Sequence, residues 1–141
     1  MIALDNQTDL DVDIDALEEI ASLLTDAPIE LIITDNETIR ELNAQYRNKD
    51  KPTDVLSFPI DQAIPGMPLG SIVISEAYVK EKAKAFGHQP SDELALLFIH
   101  GLLHLMGYDH EIDHGEMRQK EEALIEQFGL PKSLIVRTTI E

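Results

Sequence analysis

Three histidines stand in the pattern HxxxHxxGxxH: His100, His104 and His110, with Gly107 between the second and the third. Neutral imidazole nitrogen is a ligand for borderline divalent ions, zinc foremost. On a helix, two histidines four residues apart project from one face, one turn above the other, which is the separation a shared ion needs. A glycine shortly after the second ends the helix and reverses the chain, so that His110 can return over the pair from another direction. With 5 His and 7 Gly in 141 residues, such a pattern arises by chance in roughly a few of ten thousand sequences of this kind. A bare HxxxH pair would carry little weight. The full pattern points to a metal centre, with a structural histidine cluster as the lesser reading.

Three neutral ligands leave the ion its full charge and an open fourth position for water, whose pKa it lowers towards neutrality. This is the design of a hydrolase centre with one zinc ion per chain. A closed structural site would need a fourth protein ligand, and Asp109, Glu111, Asp113 and His114 are near enough in sequence to supply one. The chain has no cysteine, which excludes thiolate sites and disulfides alike. Gly101 also asks for a reason, because glycine inside a helix costs about 1 kcal/mol relative to alanine. Close approach of another backbone, or of substrate, to the metal face would supply it.

The elements that must position these groups can be read from periodicity and capping. Asp11 to Leu24 has a helical stripe of Ile14, Leu17, Ile20, Ala21 and Leu24. Pro28 to Thr34 reads as a strand, and Asn36 to Tyr46 as a helix through Ile39, Leu42 and Tyr46, capped by Thr34 or Asp35. Pro52 and Pro59 bracket Thr53 to Phe58, a strand better suited to a sheet edge than to its centre. Gln62 to Leu69 is a loop, Gly70 to Ser75 a strand and Glu76 to Phe86 a helix. The next helix, capped by Ser91 and running to about Met106, is apolar on every face and should be buried on most sides. A last helix spans Gly115 to Phe128. The expected architecture is α+β, one domain over residues 1–141, with a mixed β-sheet packed with helices and the metal-site helix in the core.

Composition bounds the function. The chain is 43% hydrophobic and carries a net charge of −16, from 11 Lys plus Arg against 27 Asp plus Glu, which argues against gripping nucleic acid by bulk electrostatics. Seven of the eleven basic residues nevertheless fall in two short stretches, Arg40, Arg47, Lys49 and Lys51, then Lys80, Lys82 and Lys84. Ordinary solvated faces would explain them equally well. The longest apolar run, Leu94 to Met106, is too short to cross a bilayer. Asp5 and Asp9 stand where a secretory signal needs a basic start and an apolar core. A cytoplasmic protein with no membrane partner is the expectation.

HGLLHLMGYDH at 100–110 and YRNKDKPTDVLSFP at 46–59, together with GSIVIS at 70–75, closely resemble the YbeY family of bacterial rRNA maturation factors. The resemblance covers most of the chain. It implies a zinc-dependent, single-strand-specific endoribonuclease acting in 16S rRNA 3′-end maturation and ribosome quality control. It carries the family's metal ligands onto His100, His104 and His110 and its functional arginine onto Arg47. Single-stranded RNA from the 16S precursor is then the substrate, and the strong acidity suggests that the ribosome or its proteins help deliver it.

The metal spacing is also that of the metzincin peptidases, but those place a glutamate base after the first histidine, where this chain has Gly101. Phosphodiester hydrolysis depends less on such a base, provided a cation neutralises charge on the non-bridging oxygens. Arg47 suits that task because a guanidinium forks onto two oxygens, where lysine offers one point charge. Its plain alternative is a surface ion pair with Asp50 or Asp54. Ser57 could bond substrate backbone, and Asp54 or Asp109 could orient a ligand histidine through its second ring nitrogen. Aromatics make up only 5% of the chain, no base-stacking platform is evident, and Tyr46 and Phe58 read as core. A metallopeptidase-like hydrolase and a non-catalytic ribosome-associated module with structural zinc remain the rival readings.

Overall fold

A computed structural model describes residues 1–60, 68–109 and 114–131. Four strands, β1 (Ile2–Asn6), β2 (Ile29–Thr34), β3 (Val55–Pro59) and β4 (Gly70–Ser75), form one sheet in the order β1-β2-β4-β3. β1 and β4 each run parallel to β2, whereas β3 pairs antiparallel with β4, Val55 opposite Ile74 and Pro59 opposite Gly70. The sheet is therefore mixed, and β3 lies at its edge, where Pro59 at its end is tolerated. With α1 (Ile14–Leu24), α2 (Asn36–Arg47), α3 (Glu76–Phe86), α4 (Pro90–Leu105) and α5 (Glu116–Gln127), the architecture is α+β.

Side-chain alternation splits the strands between two faces. Ile29, Leu31 and Ile33 of β2, Ile72 and Ile74 of β4 and Val55 of β3 join one apolar cluster with α1 and α4. Leu56, Phe58 and Val73 point the other way and meet Ile39 and Leu42 of α2. α4 packs across β3 and β4 and is flanked by α1, α3 and α5. Eleven of its sixteen residues are buried, so this helix is the centre of the core.

Local chemistry sets the ends. Asp13 caps α1 by accepting from the Ala16 N–H, and Asp35 caps α2 by accepting from the Thr38 N–H at 2.7 Å. α1 thus starts at Ile14, three residues later than the expected helix. α4 starts at Pro90, one residue before the expected cap Ser91, because proline's fixed φ suits the first helical position. The Asp92 carboxylate accepts the Gln89 backbone N–H at 3.1 Å and closes that end. At the other end Gly107 has φ +98°, the left-handed reversal the sequence implied, and its N–H reaches the His104 carbonyl at 3.0 Å.

Candidate metal centre

His100 and His104 emerge from α4 on one side, one turn apart, with their Nε2 atoms 3.1 Å from each other and their rings edge to face at 4.7 Å. Both are partly buried, the His100 side chain only 13% exposed. The His100 Nδ1 lies 2.6 Å from Oε1 of Glu121 on α5. A carboxylate oxygen can only accept, so the shared proton sits on Nδ1, and the lone pair of His100 is left on Nε2. That lone pair faces the corresponding nitrogen of His104. Two imidazole nitrogens this close need a proton or a cation between them.

The arrangement fits a cation. Zinc–nitrogen bonds of about 2.0–2.1 Å at tetrahedral angles place two ligand nitrogens about 3.3–3.4 Å apart, against the 3.1 Å here. The third expected ligand, His110, lies outside the described residues. Among the described residues no cluster of three or more His, Asp or Glu is poised around one ion position, so the two helical histidines are what the structure contributes to that centre. His114 is exposed, and its backbone N–H donates to the Glu116 carboxylate at 2.7 Å. His88, in the turn before α4, is engaged elsewhere: its Nε2 lies 2.9 Å from Oε1 of the buried Glu93.

Gly101 is explained by the sheet. A Cβ there would come within 2.8 Å of Ile72 Cγ2, 3.2 Å of Ser57 Oγ and 3.3 Å of Val55 Cγ2. The close approach expected from sequence is real, but it is made by the side chains of β3 and β4 rather than by another backbone or substrate. Ser57 donates to the Gly101 carbonyl at 2.9 Å and so fastens β3 to α4 beside His100. Asp54 accepts the Val55 N–H at 2.8 Å at the start of β3.

Arg47 is the last residue of α2 and is exposed, followed by Asn48 in the left-handed conformation at φ 57°. The surface pairing considered for it with Asp50 does not form, because Asp50 pairs with Arg40 at 2.5 Å. Among the described residues Arg47 has no ion-pair partner. Tyr46 beside it is 62% exposed rather than core, its ring edge-on to Phe58 at 5.3 Å. The carboxylate on His100 is that of Glu121, not of Asp54 or Asp109, the two the sequence offered. A signal existed: Met117, Glu121, Leu124 and Ile125 form the buried stripe of α5, and a glutamate in an apolar stripe calls for a buried partner.

Comparison with known proteins identifies the family. The family model described as Endoribonuclease YbeY matches residues 5–129. Proteins named Endoribonuclease YbeY from Sulfurovum sp. and Nautilia profundicola are each 64% identical; the first alignment covers 97% of both chains, the second 97% of this chain and 98% of the relative. The protein of that name from Campylobacter jejuni is 55% identical over 88% of this chain and 92% of its own. The solution structure of a Thermotoga maritima protein superposes with a TM-score of 0.61 at 31% identity, covering 91% of this chain and 89% of that one. The chain belongs to the endoribonuclease YbeY family.

Proposed function

We propose that this protein is a zinc-dependent endoribonuclease that cuts single-stranded RNA, working as one hydrolase domain in the cytoplasm. Its substrate is the 16S rRNA precursor, in 3′-end maturation and ribosome quality control. The observation that carries the reading is the pair of Nε2 atoms 3.1 Å apart on α4, in a chain of this family. His100, His104 and His110 hold one zinc ion, which when bound supplies Lewis acidity and lowers the pKa of a water molecule. Glu121 holds the His100 ring in the tautomer that offers Nε2. Arg47, exposed and without an ion-pair partner among the described residues, forks onto the non-bridging oxygens of the scissile phosphate.

The peptidase reading weakens on a physical ground. Its glutamate base would occupy position 101, where even a methyl group meets Ile72 at 2.8 Å. The net charge of −16 opposes unassisted capture of a polyanion, so ribosomal proteins or the ribosome itself bring the substrate. The test is cleavage of single-stranded and duplex rRNA fragments by zinc-loaded protein, with and without ribosomal subunits, and after removal of the metal by a chelator. Cutting confined to single strands and abolished by the chelator is expected. No cutting under any of these conditions would move the assignment to a non-catalytic ribosome-associated module with structural zinc.

A further inference from the structure

Glu121 stands out among the titratable groups because nothing in the sequence pattern of the metal motif requires it. It lies on α5, seventeen positions beyond His104, and is 3% exposed in the middle of that helix's buried stripe. A buried carboxylate is costly unless it is paired, and its partner here is His100 Nδ1 at 2.6 Å, a charge-assisted length. The same contact joins α5 to α4, where Met117 and Leu124 of α5 enter the main apolar cluster.

We infer that Glu121 is a positioning residue that makes the docking of α5 on α4 and the affinity for the metal one linked equilibrium. The inference rests on the proposed metal site and adds a device to it. With α5 docked, the carboxylate fixes both the tautomer and the rotation of the His100 ring, so Nε2 faces His104 before any ion arrives. With α5 undocked, His100 loses that restraint, and the ion must order it on binding. Linkage is reciprocal: if docking raises metal affinity by some factor, metal raises the docking equilibrium by the same factor. Metal occupancy would thus be reported along α5, away from the ligands.

The two halves of the contact can be separated by substitution. Glu121→Gln keeps an oxygen that accepts from Nδ1 but removes the charge, whereas Glu121→Leu keeps apolar bulk in the stripe and removes the acceptor. Loss of such a partner lowers metal affinity about 10–100-fold. The measurements are zinc and cobalt dissociation constants by chelator competition, the visible spectrum of the cobalt-loaded protein, and amide hydrogen exchange along α5 with and without zinc. Expected are a 10–100-fold weaker metal affinity in Glu121→Leu, a smaller loss in Glu121→Gln, an altered cobalt spectrum in both, and zinc-induced protection of α5 amides in wild type that Glu121→Leu lacks. If Glu121→Leu does not fold, the glutamine variant carries the test through its affinity and spectrum. Wild-type affinity, spectrum and α5 protection in the variant that folds would overturn the inference while leaving the metal site intact. Failure of the wild type itself to bind either ion would remove both.

Discussion

Gly101→Ala sets two effects of known sign against each other. Replacing a helix-interior glycine by alanine gains about 1 kcal/mol of helix propensity where the side chain has room. Here it has none: the new Cβ would lie 2.8 Å from Ile72 Cγ2, well inside the ordinary contact distance, with Ser57 Oγ and Val55 Cγ2 also tight. Ile72 is fully buried in β4, which is hydrogen-bonded on both sides, and it is β-branched, so its methyl cannot rotate away cheaply. Overpacking a filled core costs typically about 1–3 kcal/mol. The clash should win, leaving the variant about 1 kcal/mol less stable, which with a typical urea dependence lowers the unfolding midpoint by about 0.5 M. The assay is equilibrium urea unfolding followed by circular dichroism, on metal-free protein so that ligand binding does not obscure the difference. A midpoint higher than wild type would refute the reasoning, since it would mean that α4 and the sheet have slack at this position. Glu at the same position should prevent folding outright, because its longer chain has no exit between β3 and β4.

Alanine at His100, His104 or His110 should each abolish stoichiometric zinc, read by metal analysis of the purified variants, whereas His114→Ala should retain it; loss of metal in that last variant would favour a closed, four-ligand site. Arg47→Ala should keep metal and fold but cut single-stranded RNA about a hundredfold more slowly, on the order of 3 kcal/mol in the transition state, with Arg47→Lys recovering only part. Equal rates at matched ionic strength would strip Arg47 of its part in the reaction. Asp35 is held below its ordinary carboxyl value of 3.8 by the Thr38 backbone and hydroxyl. Its charge therefore stabilises the fold above 3.8, and that contribution is lost as pH falls through the lower folded value. The stability gap between wild type and Asp35→Ala, from urea midpoints, should be larger at about pH 7 than at about pH 3.

The fold is legible in the sequence where one signal dominates. β4 and α3 have the expected bounds because an apolar run from Gly70 ends at Ser75, whose hydroxyl caps the helix at Tyr78. β1 was not anticipated, since IALDN buries only Ile2 fully and its strand character comes from pairing with β2. Tyr46 sits on the helical stripe with Ile39 and Leu42, but it falls in the last turn of α2, where its ring lies largely in solvent against the edge of Phe58. Periodicity states which face a residue shares, not how far the opposing surface extends. The Glu121 contact was hidden for a related reason. The apolar stripe of Met117, Leu124 and Ile125 marks Glu121 off from Glu116, Glu122 and Glu126 as the buried glutamate of α5, but only the packing against α4 shows that its partner is His100.

The placement of the two helical histidines also bears on how the proposed metal site would work as a whole. α4 is held by the sheet on one side and by α1, α3 and α5 around it, so the backbone carrying His100 and His104 is ordered by the fold itself. Glu121 then orders one of the rings through its second nitrogen. Little ordering entropy remains to be lost at these two ligands when a cation binds, which is the physical content of a preorganised site. The positive reversal at Gly107 separates that rigid pair from whatever follows, so any third ligand is set by the chain beyond the helix rather than by the helix. Exposure at Arg47, Lys49 and Lys51 has the opposite character. Their charges act on a polyanion only within a screening length of about 8 Å, against the repulsion of a chain with 27 acidic residues. Arg40 cancels Asp50 beside them and leaves that short stretch locally positive. If the ordered histidine pair holds a metal as proposed, its combination with a short-range positive contact favours reaction on RNA already held nearby over capture of RNA from solution.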